Sequence, residues 1–230
     1  MSTVKVLLLD TETNGLPKNR QAPVSMTEAW PAILQLSWVT YTITGRTMHQ
    51  DGQRDIGVAL DPSIPWDTGA ARIHGITETE ARTGTPAVRA LAELAAALRT
   101  VDVIVAHNLA FDKPVIRAAG YRVPELRQLW PAGKAEFCTM RETRDLLQLP
   151  SPNDPLGRFK PPRLNELYTW LYGHVYDISG ATLHSARSDT HCLSQCLAGL
   201  LRRGLVVAEA GSLRLASATA PASASTNTKR

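Results

Sequence analysis

At 230 residues, 43% of them hydrophobic and 20% charged, the chain is long enough for one full-sized domain with a substantial core and has the balance of a globular protein. A net charge of +4 permits a polyanionic partner without requiring one, since cations spread over a solvated surface give the same sum. No stretch approaches the roughly 20 apolar residues of a membrane span, and the first apolar run is too short and too soon acidic for a signal peptide, so no membrane is expected and the cytoplasm is the expected compartment.

Val4 to Leu9 is a near-continuous apolar run of strand length, as a strand covered on both faces requires. It ends in Asp10, with Glu12 two residues further on. Residues 17–32 follow as a long polar, cationic loop. Ile33 to Ile43 alternates and is rich in β-branched and aromatic residues, which predicts a second strand. A turn at "TGRT" leads to a third strand expected over 54–60. Thr85-Pro86 opens a helix whose apolar stripe is Val88, Leu91, Leu94, Ala95 and Leu98. Val101 to Ala106 is another buried strand, followed by a helix from about Ala110 to Gly120 and a short fifth strand at Phe137 to Met140. A proline-rich loop at 150–162 precedes two more helices, Leu164 to Tyr172 and Ser188 to Arg203. Strands in a meander, then alternating with helices, predict an α/β fold with a central mixed sheet flanked by helices. Residues 1–205 form one domain on this reading, and the Ala/Ser/Thr-rich stretch 206–230 is expected to be a disordered tail. Cys138, Cys192 and Cys196 make no paired framework, and no ligand spacing for zinc accompanies them.

Four carboxylates break the apolar pattern at the ends of elements. Asp10 and Glu12, two apart on a strand, share one face. Asp112 lies three, four and seven residues before Val115, Ile116 and Ala119, on the buried stripe of its helix. Asp189 lies four, seven, eight and eleven residues before Leu193, Cys196, Leu197 and Leu200, on the buried stripe of its own helix. Any one of them is equally well read as a carboxylate held by backbone N–H groups at a helix start or strand end. Together they repel at several kcal/mol in a low-dielectric cleft unless a cation compensates them. An all-oxygen donor set points to Mg²⁺ or Mn²⁺.

"DTETNGL" at 10–16, "HNLAFD" at 107–112 and "HSARSD" at 184–189 resemble, in order, the three exonuclease motifs of the DnaQ-like (DEDDh) 3′→5′ exonucleases, the proofreading exonuclease subunit of bacterial replicative DNA polymerase among them. "ILQLSWV" at 33–39, "IHGIT" at 73–77 and "RLNELYTWLYG" at 163–173 resemble the intervening segments, so the likeness covers residues 4–203 or so. The resemblance implies a ribonuclease H-like fold with a central mixed five-stranded sheet. It implies that Asp10, Glu12, Asp112 and Asp189 hold two divalent ions, Mg²⁺ or Mn²⁺, and that His184 is the general base, its ordinary pKa near 6.5 suiting it to take a proton around neutral pH. Thr11, Thr13, Leu16, His74, Asn108 and Phe111 are the residues it assigns to the 3′-terminal nucleotide. The implied substrate is nucleic acid with a 3′ end, single-stranded DNA first, and the implied partners include a DNA polymerase or a replication or repair complex. An exoribonuclease of the same family, or a non-catalytic nucleic-acid-binding module on the same fold, are the competing readings. Outside the motifs, Lys18 and Arg20 are candidates for steering substrate, Trp30 for stacking on a base, and Arg158 and Lys160 for similar duty in the later loop.

Overall fold

Strand β1 (Thr3–Thr13) runs through the middle of the molecule with neighbours on both sides. A computed structural model describes residues 3–152, 154, 156–177 and 185–216. β1 pairs antiparallel with β2 (Ile33–Thr44), which pairs antiparallel with β3 (Thr47–Gly57). Two short helices follow, α1 (Thr68–His74), capped by Asp67, and α2 (Glu78–Arg82), opened by a capping box of Thr77 and Glu80. Then come α3 (Ala87–Arg99), β4 (Val103–Ala106), α4 (Leu109–Tyr121), β5 (Ala135–Cys138), α5 (Thr139–Leu147), α6 (Leu164–Tyr172) and α7 (Ala186–Arg202). The order across the sheet is β3-β2-β1-β4-β5, with β4 parallel to β1 and β5 parallel to β4. This is the mixed five-stranded sheet flanked by helices that the sequence predicts.

Alternation along β1 divides its side chains between two cores. Leu7 and Leu9 join Leu91, Leu94 and Leu98 of α3 and Val115 and Ile116 of α4. Val4, Val6 and Leu8 join Leu167 and Leu171 of α6 and Leu193, Cys196, Leu197 and Leu200 of α7. The three cysteines are buried, unpaired members of these cores. No helix among the described residues is long and apolar enough to cross a membrane.

The structure departs from the sequence reading in several places. The third strand starts at Thr47, not 54, because β3 pairs along the whole of β2 at the sheet edge, where polar residues such as His49, Gln50 and Gln53 face solvent and mask the strand pattern. Val88 is 50% exposed, and Ala90 takes its place in the α3 stripe. Residues 206–216, assigned to the tail on composition, instead contain a hairpin of β6 (Val206–Glu209) and β7 (Ser212–Leu215). Val206, Ala208 and Leu213 pack into the α7-side core, so alternation of a few apolar residues outweighs the polar composition around them. Residues 217–230 lie outside the described residues.

Candidate active site

The even-numbered face of β1, apolar through Leu8, continues into Asp10 and Glu12, and so aims both carboxylates at the α7 side of the sheet. The start of α7 is fixed from two directions. Ser185 caps it, accepting from the Ser188 N–H at 3.2 Å. Gln35, directly opposite Glu12 in the sheet register, accepts from the Ala186 N–H at 3.0 Å and donates to Asp55 at 2.9 Å. Asp189, in the first turn of this anchored helix, brings a carboxylate oxygen within 4.8 Å of oxygens from both Asp10 and Glu12.

Asp112 arrives from the opposite side of the sheet. It sits in the first turn of α4, 2% exposed, and accepts a hydrogen bond of 2.8 Å from the Thr11 hydroxyl. Thr11, itself buried, projects from the odd-numbered face of β1, so consecutive residues of one strand serve the two halves of the site: Asp10 meets Asp189, and Thr11 holds Asp112.

Burial and mutual repulsion leave these carboxyls reluctant to ionise. The Asp10 carboxyl is pushed well above its usual range by burial, then by Asp112, Asp189 and Glu12 in that order. Glu12 is pushed up to about 8 by burial, with Asp189 and Asp112 adding to it. Asp112 is pushed up to about 7 by burial, against the Thr11 hydroxyl and backbone N–H groups that favour its anion. Asp10, Glu12 and Asp112, none of which ionises cheaply, suit a group that supplies positive charge. Their donor atoms are all hard oxygens, which fits divalent Mg²⁺ or Mn²⁺.

The other residues singled out in the sequence take the following places. Leu16 is 71% exposed and borders a cleft of about 840 Å³ that also takes in Asn14, Trp66 and Asp67. Asn14 ties the cleft walls together, accepting from the Ala32 N–H at 2.7 Å and donating to the Pro65 carbonyl at 3.4 Å. Thr13 is buried, its hydroxyl donating to the Gly15 carbonyl at 2.7 Å. His74 is 3% exposed; its Nδ1 accepts from the Ile76 N–H, and its Nε2 has no hydrogen-bond partner among the described residues. Burial lowers its pKa, with the Thr13 backbone acting weakly the other way. Asn108 starts α4 with a left-handed backbone (φ 74°), and Phe111 lies half-buried against the α4-side core. His184 lies outside the described residues, immediately before the Ser185 cap.

Some loop residues take other parts than expected. Trp30 is 6% exposed and packs in the core, its indole N–H donating to the Pro23 carbonyl. Arg158 and Lys160 are paired with Asp154 at 2.8 Å and Glu166 at 2.5 Å. His107 bridges Thr139 and the Pro162 carbonyl and is held neutral, its pKa lowered to about 4 by burial. Gln35 was missed by motif reading. Its signal is a lone amide in the run "ILQL", at the register position of Glu12.

No protein-family model and no curated protein matches this sequence. Among solved structures, the chain is similar to E. coli exonuclease I in complex with a dT13 oligonucleotide (TM-score 0.64, 20% identity, covering 86% of this chain and 41% of that one). It is also similar to the zinc-bound form of the E. coli exonuclease I–ssDNA complex (TM-score 0.61, 21% identity, 87% and 41%) and to E. coli exonuclease I with a dA16 oligonucleotide (TM-score 0.61, 19% identity, 87% and 41%). The chain thus spans about two fifths of the length of these structures. What the likeness establishes is the fold, an α/β ribonuclease H-like sheet flanked by helices.

Proposed function

We propose that this chain is a metal-dependent 3′→5′ exonuclease that hydrolyses DNA from its 3′ end to nucleoside 5′-monophosphates. The observation that carries this reading is the convergence of Asp10, Glu12 and Asp189 within 4.8 Å, with Asp112 held by the Thr11 hydroxyl next along the same strand. The likeness to an exonuclease crystallised with oligonucleotides supports the substrate class.

In this reading Asp10, Glu12, Asp112 and Asp189 hold two divalent ions, Mg²⁺ or Mn²⁺, which when bound supply an activated water and stabilise the leaving 3′ oxygen. The chain's own groups do the rest. Thr11 keeps the Asp112 carboxylate turned toward the cluster. Gln35 fixes the helix start that carries Asp189. His184, next in sequence to the Ser185 cap, accepts the proton of the attacking water. Thr11, Thr13, Leu16, His74, Asn108 and Phe111 receive the terminal nucleotide, with the Nε2 of buried His74, unpartnered among the described residues, as its polar contact. Partnership with a DNA polymerase or repair complex and a cytoplasmic location rest on the sequence reading alone.

The test uses 5′-labelled single-stranded DNA, a duplex with a mismatched 3′ end, and single-stranded RNA, each with Mg²⁺, Mn²⁺ or chelator, beside Asp10→Ala protein. A ladder shortening from the 3′ end, absent with chelator and in the variant, is the expected result. The faster of the DNA and RNA substrates separates DNA processing from RNA turnover. Intact label in every lane, from folded protein that still binds the strands, overturns the nuclease reading in favour of a binding module.

A further inference from the structure

A groove separate from the carboxylate cluster runs along the outer side of α4, with the 17–32 loop as its second wall. It consists of two adjoining hollows. The smaller, of about 40 Å³, is bounded by Arg20, Asn108 and Phe111; the larger, of about 460 Å³, by Arg20, Pro114, Arg117 and Tyr121. Phe111, Pro114, Arg117 and Tyr121 are spaced three, three and four apart, one face of the helix. At 1.5 Å per residue the groove follows α4 for about 15 Å, starting one residue from Asp112.

The loop wall is built into the protein. Ala22 and Val24 pack against the core, and the buried Trp30 donates to the Pro23 carbonyl. Arg122, at the end of α4, donates to the carbonyls of Thr27, Trp30 and Pro31. Arg20 and Arg117 differ from Arg122 and from the cations of the later loop. Both are exposed, and neither makes an ion pair or hydrogen bond recorded among the described residues, whereas Arg158 and Lys160 are paired. No residue lining either hollow is acidic, although Phe111 at the start of the groove is the neighbour in sequence of Asp112. Two arginines and a half-exposed tyrosine in an acid-free trough suit a repeating polyanion with flat, stackable groups.

We propose that this groove carries the sugar–phosphate backbone of a single strand on the 5′ side of the scissile end, with Arg20 and Arg117 each meeting a phosphate and Tyr121 stacking on a base. The proposal rests on the exonuclease reading for its direction. It assigns a function to the long loop after the first motif: it forms half of a strand-binding channel.

The experiment compares the full chain with Arg20→Ala/Arg117→Ala, Arg20→Lys/Arg117→Lys and Tyr121→Leu proteins. Binding of labelled oligothymidylates is followed by fluorescence anisotropy in Ca²⁺ at several salt concentrations, and KM is measured in Mg²⁺ against strand length. In the wild type KM falls as the strand lengthens beyond a dinucleotide. In the double alanine variant this dependence flattens, KM for a strand of about 12 nucleotides rises roughly tenfold or more, and the slope of log affinity against log salt shrinks by about 1.4, at about 0.7 per single-strand phosphate contact. The double lysine variant keeps the salt slope, which separates lost charge from lost fold. Tyr121→Leu weakens binding of every strand with no change in slope. Wild-type length dependence and salt slope in the alanine variant overturn the groove while leaving the nuclease reading intact. If the wild type cleaves nothing, the nuclease reading falls, and the anisotropy slope alone decides whether the groove binds nucleic acid.

Discussion

On α4, Asp112 is almost wholly buried and is gripped directly, by the Thr11 hydroxyl and backbone N–H groups. On α7, Asp189 is only partly buried, and the Gln35 and Ser185 contacts set the start of the helix that bears it. The two helices deliver the same chemical group to one place from opposite faces of the sheet. Their difference teaches that one chemical group can be brought to the end of a sheet at two depths of burial. The deeper carboxylate costs more to ionise; the shallower one keeps more solvent.

The strongest way to sharpen this contrast is to neutralise each acid. Asp112→Asn and Asp189→Asn should each lower kcat on the order of 10³-fold, since each removes charge that the reaction requires. Their effects on the metal-free fold should differ. At pH 8, calorimetry should show Asp112→Asn melting several degrees above the wild type and Asp189→Asn gaining less, because the more buried carboxylate is the costlier one to ionise. Equal gains would break the comparison.

Smaller effects should follow from removing the grips. Thr11→Val and Gln35→Leu should each raise the metal concentration for half-maximal activity by about 10- to 100-fold, with most of kcat regained at saturating metal. The two variants should part company in acid. The Thr11 hydroxyl favours the Asp112 anion, so its loss raises that pKa further and the metal requirement of Thr11→Val should steepen as pH falls. Gln35→Leu should show no such added dependence.

The smallest effect is a pH profile of the untouched, metal-free protein. Glu12 and Asp112 have folded-state pKa values raised to about 8 and about 7, so their neutral forms favour folding at low pH and that contribution is lost as pH rises toward 8. His107, lowered to about 4, acts oppositely: it favours folding above its ordinary value of 6.5 and loses that contribution as pH falls toward 4. Between pH 6.5 and 8 only the carboxylate effect remains, and the melting temperature should drop. Saturating Mg²⁺ should abolish the drop at pH 8 and change little at pH 5. A flat metal-free profile over that window would contradict the shared burial cost of the cluster.

Much of this site was legible in the sequence because its members offend local rules. An aspartate three and four residues before Val115 and Ile116, or at the α7 position where a core residue belongs, is visible without coordinates. The five-stranded sheet was legible for the opposite reason, since β1, β2 and β4 follow simple periodicities. What escaped notice obeys local rules and acts at a distance. Thr11 is an ordinary strand residue until Asp112 arrives from 101 positions away. Gln35 matters through a helix 151 residues later. α5 was missed because it buries Thr139 and Thr143 beside Leu147, leaving no apolar stripe to read. Trp30 in a polar loop looked like a surface ring, and only its tertiary neighbours show that it is core.

The division of β1 between two faces also determines which genetic changes the protein can survive. Strand side chains alternate, so inserting one codon between Leu9 and Asp10 would send the acids to the α4 side and the threonine to the α7 side, inverting the site at a stroke. Point substitutions there can be graded; changes in length cannot. The loops at 17–32 and 150–162, by contrast, can grow or shrink without touching that alternation. Among descendants of this chain, length variation should therefore collect in those loops, while the first strand keeps its count of residues.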